Sequence, residues 1–312
     1  MNQSSILCAG KILFTVLIFL SFNGSVQVEA QLKRPSEIVA ADGTKLRYVV
    51  EGSGIPCVVI NGIHYQRVYS KDLRRQLKLI FLDFRHSSEA DAAAKVDTIT
   101  LDTLVDDIEH VRKALGFERI AVMGHSLPSL IALEYARKYP EHTSHLILIG
   151  APPFMIPLKE SEAFWESDAS EARKLANKRN LERITDEDLK KAPAGKAWKL
   201  QFVRNGARYW YDASYDSSWM LEGIAPNMNF MPHVAGLFRD YDVGKRTPRV
   251  TRPVFLVLGR YDYLVPYPTW EVRKNFFPNL SYNLFEKSGH YPMFEEPALF
   301  DKKLIEWMKA NK

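Results

Sequence analysis

Met123-Gly124-His125-Ser126-Leu127-Pro128 follows Arg119-Ile120-Ala121-Val122 and leads into a stretch of helical character, Ser129 to Lys138. A buried strand that ends in Gly-x-Ser and turns at once into a helix lifts the serine hydroxyl above the end of a sheet. The first N–H groups of the helix then point at whatever the hydroxyl attacks. A Gly-x-Ser triplet alone is common in loops; the flanking strand and helix make this one a candidate catalytic serine.

The chain around it alternates strands and helices. Leu46 to Gly52, Cys57-Val58-Val59-Ile60, Leu79-Ile80-Phe81-Leu82-Asp83, the strand before Ser126 and Leu146-Ile147-Leu148-Ile149 read as strands, most of them continuously apolar. Such runs suit strands covered on both faces, in a mostly parallel sheet flanked by helices. Residues 66–77 are compatible with a helix. Leu101, Leu104, Val105, Ile108, Val111 and Leu115 make the stripe of a one-sided helix that ends at Gly116. After Ala151-Pro152-Pro153 the pattern changes to polar helices and aromatic clusters, and Pro253 to Gly259 resumes the sheet. An α/β core over residues 31–151 and 253–312, with a helical cap over 152–252, is the simplest account.

A serine hydroxyl needs an adjacent base, usually histidine, itself held by a carboxylate. Leu258-Gly259-Arg260-Tyr261-Asp262 puts an acid just past a strand, and Ser288-Gly289-His290 puts a histidine in a later loop. The order Ser126, Asp262, His290 is the Ser…acid…His order of the α/β-hydrolase fold. The other seven histidines all precede Asp262 and break that order.

The chain resembles the capped α/β-hydrolases over nearly all of residues 40–310, and most of all the proline iminopeptidase-like serine hydrolases. The segments that carry the resemblance are Asp106-Asp107-Ile108-Glu109 leading to Ser126, Trp210-Tyr211-Asp212-Ala213-Ser214-Tyr215-Asp216, Gly259-Arg260-Tyr261-Asp262, and Ser288-Gly289-His290 with Phe294-Glu295-Glu296-Pro297. It implies Ser126 as nucleophile, Asp262 as orienting acid and His290 as general base and then acid, without metal or organic cofactor. The backbone N–H groups of Leu127 and Ile63 are the expected oxyanion donors. Trp210, Tyr215 and Glu222, among the cap aromatics, are the expected substrate contacts, with Asp212 and Asp216 as further carboxylates able to hold an ammonium. The chain departs from the family pattern in four places. Pro128 stands where the elbow usually has glycine, and Asn61-Gly62-Ile63 replaces His-Gly. The glycine-rich Pro-Gly extension of the peptidases is missing, and Asp83-Phe84-Arg85-His86-Ser87 lacks the usual glycines after arginine. Aminopeptidase-like and carboxylesterase activities both fit. A carbon–carbon bond hydrolase and a non-catalytic ligand-binding protein are the alternatives.

Lys11, the apolar run Ile12 to Leu20 and Val28-Glu29-Ala30 read as a secretory signal peptide. Cleavage after Ala30 leaves 312 − 30 = 282 residues, exported to the periplasm or beyond with no stable membrane association; an uncleaved anchor is the other reading. Only Cys57 remains in the mature chain, so no internal disulfide forms. A net charge of +5 without a dense basic run excludes nucleic acid as an expected partner and leaves a small molecule or short peptide as substrate.

Overall fold

The computed structural model describes residues 34–311. The expected leader at residues 1–30 lies outside them. Strands β1 (Ser36–Val39), β2 (Lys45–Gly52), β3 (Ile55–Val59) and β4 (Leu77–Leu82) precede helix α1 (Leu101–Ala114). Then come β5 (Ile120–His125), α2 (Pro128–Lys138) and β6 (Thr143–Ile149). Six helices follow, α3 (Leu158–Asp168), α4 (Glu171–Arg183), α5 (Asp186–Lys191), α6 (Ala194–Arg204), α7 (Gly206–Tyr209) and α8 (Phe230–Gly236). The chain closes with β7 (Val254–Gly259), β8 (Leu280–Phe285), α9 (Pro292–Glu295) and α10 (Pro297–Ala310). Among the described residues no helix is long and apolar enough to cross a membrane.

The eight strands form one sheet in the order β1-β2-β4-β3-β5-β6-β7-β8. The pairs from β4–β3 through to β7–β8 are all parallel, and β1 and β2 add an antiparallel edge. Burial explains the continuous apolar runs: every residue of β5 and of β7 is buried, as parallel strands covered on both faces require. On one face α1 lays Leu104, Val105, Ile108 and Val111 against the core that Leu130, Ile131 and Leu133 of α2 also enter. On the other face Phe300, Leu304 and Met308 of α10 cover Phe255, Val257 and Phe285. Each such side chain removed from water contributes roughly 1.5–3 kcal/mol before entropy is charged against it.

α1 begins at the capping box of Thr100 with Thr103 and ends at Gly116, whose φ is +72°. The expected helix over 66–77 is instead two short 3₁₀ turns, Ile63–Arg67 and Leu73–Arg75. Ser70 Oγ accepts the N–H of Leu73 and starts the second turn afresh, so one continuous helical ladder does not form. β8 carries no continuous apolar run because all but its last residue are only half-buried at the sheet edge.

The six helices α3 to α8 all lie between β6 and β7, while the described residues, 34–311, hold together as one compact unit. Cys57 is buried in β3, and burial pushes its thiol pKa far up, which makes it an inert core side chain.

Candidate active site

The carboxyl end of β5 is where the sheet meets a cavity of ≈ 540 Å³, the place where open α/β sheets hold ligands. Ser126 follows β5 directly with φ +59°, one of two non-glycine residues with positive φ among the described residues. A side chain in that region costs of order 1–3 kcal/mol, and here the surroundings hold it. The Ser126 N–H donates to Ile149 O at 2.8 Å, and Ser126 O accepts the Ser129 N–H at 3.0 Å.

Gly124 is required by close approach, because a Cβ there would stand 2.5 Å from Ser129 Cα and 2.7 Å from Ser129 N. Pro128 sits in the first turn of α2, where its missing N–H would have had no helical partner. The departure at Pro128 therefore leaves the helix start intact.

Asn61, in place of the usual histidine, continues the pairing of β3 with β5 through its side chain. Its Nδ2 donates to His125 O at 2.8 Å, and the His125 N–H donates to its Oδ1 at 2.7 Å. The amide thus acts as one more peptide unit on the ladder. The ring of His125 is buried. Its Nε2 lies 2.6 Å from the carbonyl oxygen of His290, which can only accept, so the proton is on Nε2; the Tyr65 hydroxyl then donates to Nδ1 at 2.7 Å. Burial holds the His125 pKa well below its ordinary value, which keeps the ring neutral.

Asp262 and His290 come together as expected. Asp262 is fully buried, its Oδ1 accepts the N–H groups of Leu264 and Val265 at 3.0 and 2.8 Å, and its Oδ2 accepts His290 Nδ1 at 2.6 Å. With Nδ1–H donating there, Nε2 carries the lone pair. Both His290 and Ser126 line the cavity, with no direct hydrogen bond between them.

Two expectations need correction. The Ile63 N–H is not free for an oxyanion, because it donates to Asp83 Oδ1 at 2.8 Å. Asp83 also faces Arg47 at 3.3 Å, and burial, the larger effect, raises its carboxyl pKa. The Leu127 N–H takes no such partner among the described residues and keeps its place beside Ser126.

Second, Trp210 and Tyr215 do not line the cavity. The Trp210 ring stacks on Tyr291 at 4.6 Å and packs on Tyr215 at 5.0 Å, and Tyr215 and Trp219 lean on Phe294. These aromatics form the packed layer between the α7–α8 connection and α9. Asp212 and Asp216 accept from Ser214 and Ser218 in local turns and do not face the cavity either.

Glu222 does line the cavity, at its exposed rim. Its backbone oxygen accepts Arg67 Nη1 at 2.7 Å, so Arg67 anchors this stretch of wall. The walls that sequence reasoning missed include Tyr209, Phe202, Phe230 and His64. His64 is kept neutral by burial and then by Arg67, with its pKa lowered to about 4. A side-chain periodicity could not have found these residues, since they come from four separate short helical elements, α6, α7, α8 and the Ile63–Arg67 turn, brought together by packing. Among the described residues no group of three or more His, Cys, Asp or Glu is placed to hold a metal ion.

Residues 60–297 match the α/β-hydrolase fold family, and the chain belongs to it. It is 32% identical over 87% of its length to the AB hydrolase superfamily protein YclE of Bacillus subtilis, covering 98% of that protein. It is 24% identical over 79% of its length to a proline iminopeptidase of Heyndrickxia coagulans, 88% of which is covered. Among solved structures, a thermophilic esterase from Thermogutta terrifontis superposes with a TM-score of 0.65 at 18% identity, over 89% of this chain and 99% of that one. The resemblance read from the sequence thus stands at the level of fold and family, and the relatives include peptidases and esterases. Hydrolysis of small molecules is the chemistry the family supports.

Proposed function

We propose that the protein is an exported serine hydrolase acting on small ester or amide substrates through an acyl-enzyme. The observation that carries the reading is the strained Ser126, held at a strand-to-helix elbow on the same cavity as a histidine bound to a buried aspartate. His290 Nε2 takes the Ser126 Oγ proton as the oxygen attacks the acyl carbon. Asp262 accepts from Nδ1 and stabilises the imidazolium that forms. The Leu127 N–H donates to the developing oxyanion, and one such donor is worth ~3 kcal/mol of transition-state stabilisation. The Ile63 N–H joins it only by exchanging Asp83 for substrate. His290 then protonates the leaving group, and water repeats the sequence to release the acid.

Most of the cavity wall is apolar, which suits an uncharged acyl or leaving group. The carboxylate of Glu222, at the rim and in no ion pair among the described residues, favours an aminoacyl substrate whose ammonium it would meet. Export rests on the leader composition of residues 1–30.

The test is Ser126→Ala assayed on p-nitrophenyl acetate beside labelling of the wild-type protein by a fluorophosphonate. Loss of both turnover and labelling is expected. Retained turnover sinks the serine mechanism, and absence of labelling and turnover in the wild type would point to a ligand-binding protein instead.

A further inference from the structure

We propose that Glu295 is a positioning residue for catalysis, clamping the loop of His290 to the segment that follows α7. One carboxylate bridges the two. Its Oε1 accepts the N–H groups of Gly289 and Tyr291, which flank His290, at 2.8 and 3.2 Å. Its Oε2 accepts the Tyr211 N–H at 2.6 Å. A direct backbone bond runs alongside, from the His290 N–H to Tyr209 O at 2.6 Å. The approach is close enough that a Cβ on Gly289 would stand 2.1 Å from Tyr209 O. Glu296 holds the start of the same loop, accepting the Lys287 N–H and the Ser288 hydroxyl at 3.0 and 2.7 Å. The segment on the far side is itself anchored, because Arg173 of α4 donates to Ala207 O and Trp210 O at 2.7 Å and to Tyr211 O.

Glu295 touches neither the cavity nor the reacting atoms. It acts by fixing where the ring of His290 sits relative to Ser126, and the inference rests on the reading of His290 as the base. A shift of about 1 Å in such a group costs on the order of 100-fold in rate.

The clamp is sensitive to protonation. Oε1 already accepts two N–H groups and Oε2 one, so a proton goes to Oε2; it removes the charge that the three donors meet and weakens the Tyr211 side of the bridge. The groups around Glu295 pull in opposite directions. Burial raises its pKa to about 7, the three N–H groups work against that, and the charge of Asp262 adds to it. The cation of Arg173 on α4 interacts with Glu295 and favours its ionised form, and Tyr215 faces it from the α7–α8 connection. Ionised Glu295 is therefore the clamping form, and it is lost as pH falls through about 7.

The experiment is a pH–kcat profile of the wild-type enzyme and of Glu295→Gln on a p-nitrophenyl ester, with thermal melts to check folding. Protonation of Glu295 is expected to lower wild-type kcat in a step as pH falls through about 7. In Glu295→Gln an NH₂ group, which cannot accept, takes the place of Oε2 beside the Tyr211 N–H. Its kcat is expected to fall about tenfold or more with KM changed by less than about twofold, and its profile to lack the step at about 7. Glu295→Asp, one methylene too short to span the bridge, is expected to lower kcat and to lack that step as well. A wild-type kcat that does not change through about pH 7 overturns the proposal whether or not the variants fold, and so does a Glu295→Gln enzyme with wild-type kcat and profile. If Ser126→Ala stays active, it is the serine mechanism that has failed; if Ser126→Ala is dead and Glu295→Gln is normal, only the clamp has.

Discussion

His125 Nε2 lies 2.6 Å from the carbonyl oxygen of His290. The residue before the elbow serine thereby holds the backbone of the histidine loop, so the two ends of the proposed triad are tied by a bond that neither functional side chain makes.

Removing that tie is expected to cost both stability and rate. His125→Phe leaves the His290 carbonyl and the Tyr65 hydroxyl unpaired in a buried place, a loss of roughly 1–3 kcal/mol each in a stability measurement. Urea midpoints and p-nitrophenyl ester turnover read it; an unchanged midpoint would show that the bond contributes nothing.

The same ring sets an acid limit. Its folded pKa is depressed by burial, so the unfolded chain takes up a proton first as pH falls. The stability it confers is therefore present above the ordinary value of 6.5 and is lost progressively below it. The melting temperature of wild type should fall between pH 7 and 5 more steeply than that of His125→Phe, as about one proton of linkage fewer would give. Parallel curves would remove His125 from the account.

Gly124→Ala should disable the elbow. The added methyl meets the backbone of Ser129, which cannot rotate away, so α2 must retreat from β5. A destabilisation of about 1–3 kcal/mol is expected, with fluorophosphonate labelling slowed by about tenfold or more. Wild-type labelling by a folded variant would contradict the close approach.

Glu222→Gln separates the two substrate readings. On amino-acid naphthylamides with a free amino group, kcat/KM should drop by about tenfold or more, while p-nitrophenyl acetate is hydrolysed within about twofold of wild type. Equal effects on both substrates would mean that the carboxylate holds no ammonium.

Much of this was readable in one dimension. Parallel strands buried on both faces need uninterrupted apolar runs, and β3, β5, β6 and β7 show them. The alignment of Asp262 with His290 was readable for the same reason, since both stand just past strands in the order that the fold imposes. β1 left no sequence signal, and β8 only a weak one, because edge strands are half-wetted and carry mixed residues. The cap aromatics misled because composition cannot tell a stacked ring from a lining one: Trp210 is spent on Tyr291, while Tyr209, its neighbour, faces the cavity.

The sequence by itself thus determined the sheet, the elbow and the order of the acid and the base, since each follows from local periodicity or from chain order. Tertiary structure alone decided which donors and walls surround Ser126. Asp83, twenty residues after Ile63, occupies the N–H that the family resemblance assigned to the oxyanion, and Glu295 accepts the N–H of Tyr211, 84 residues away. Such contacts are set by packing between distant segments, and spacing along the chain carries no trace of them.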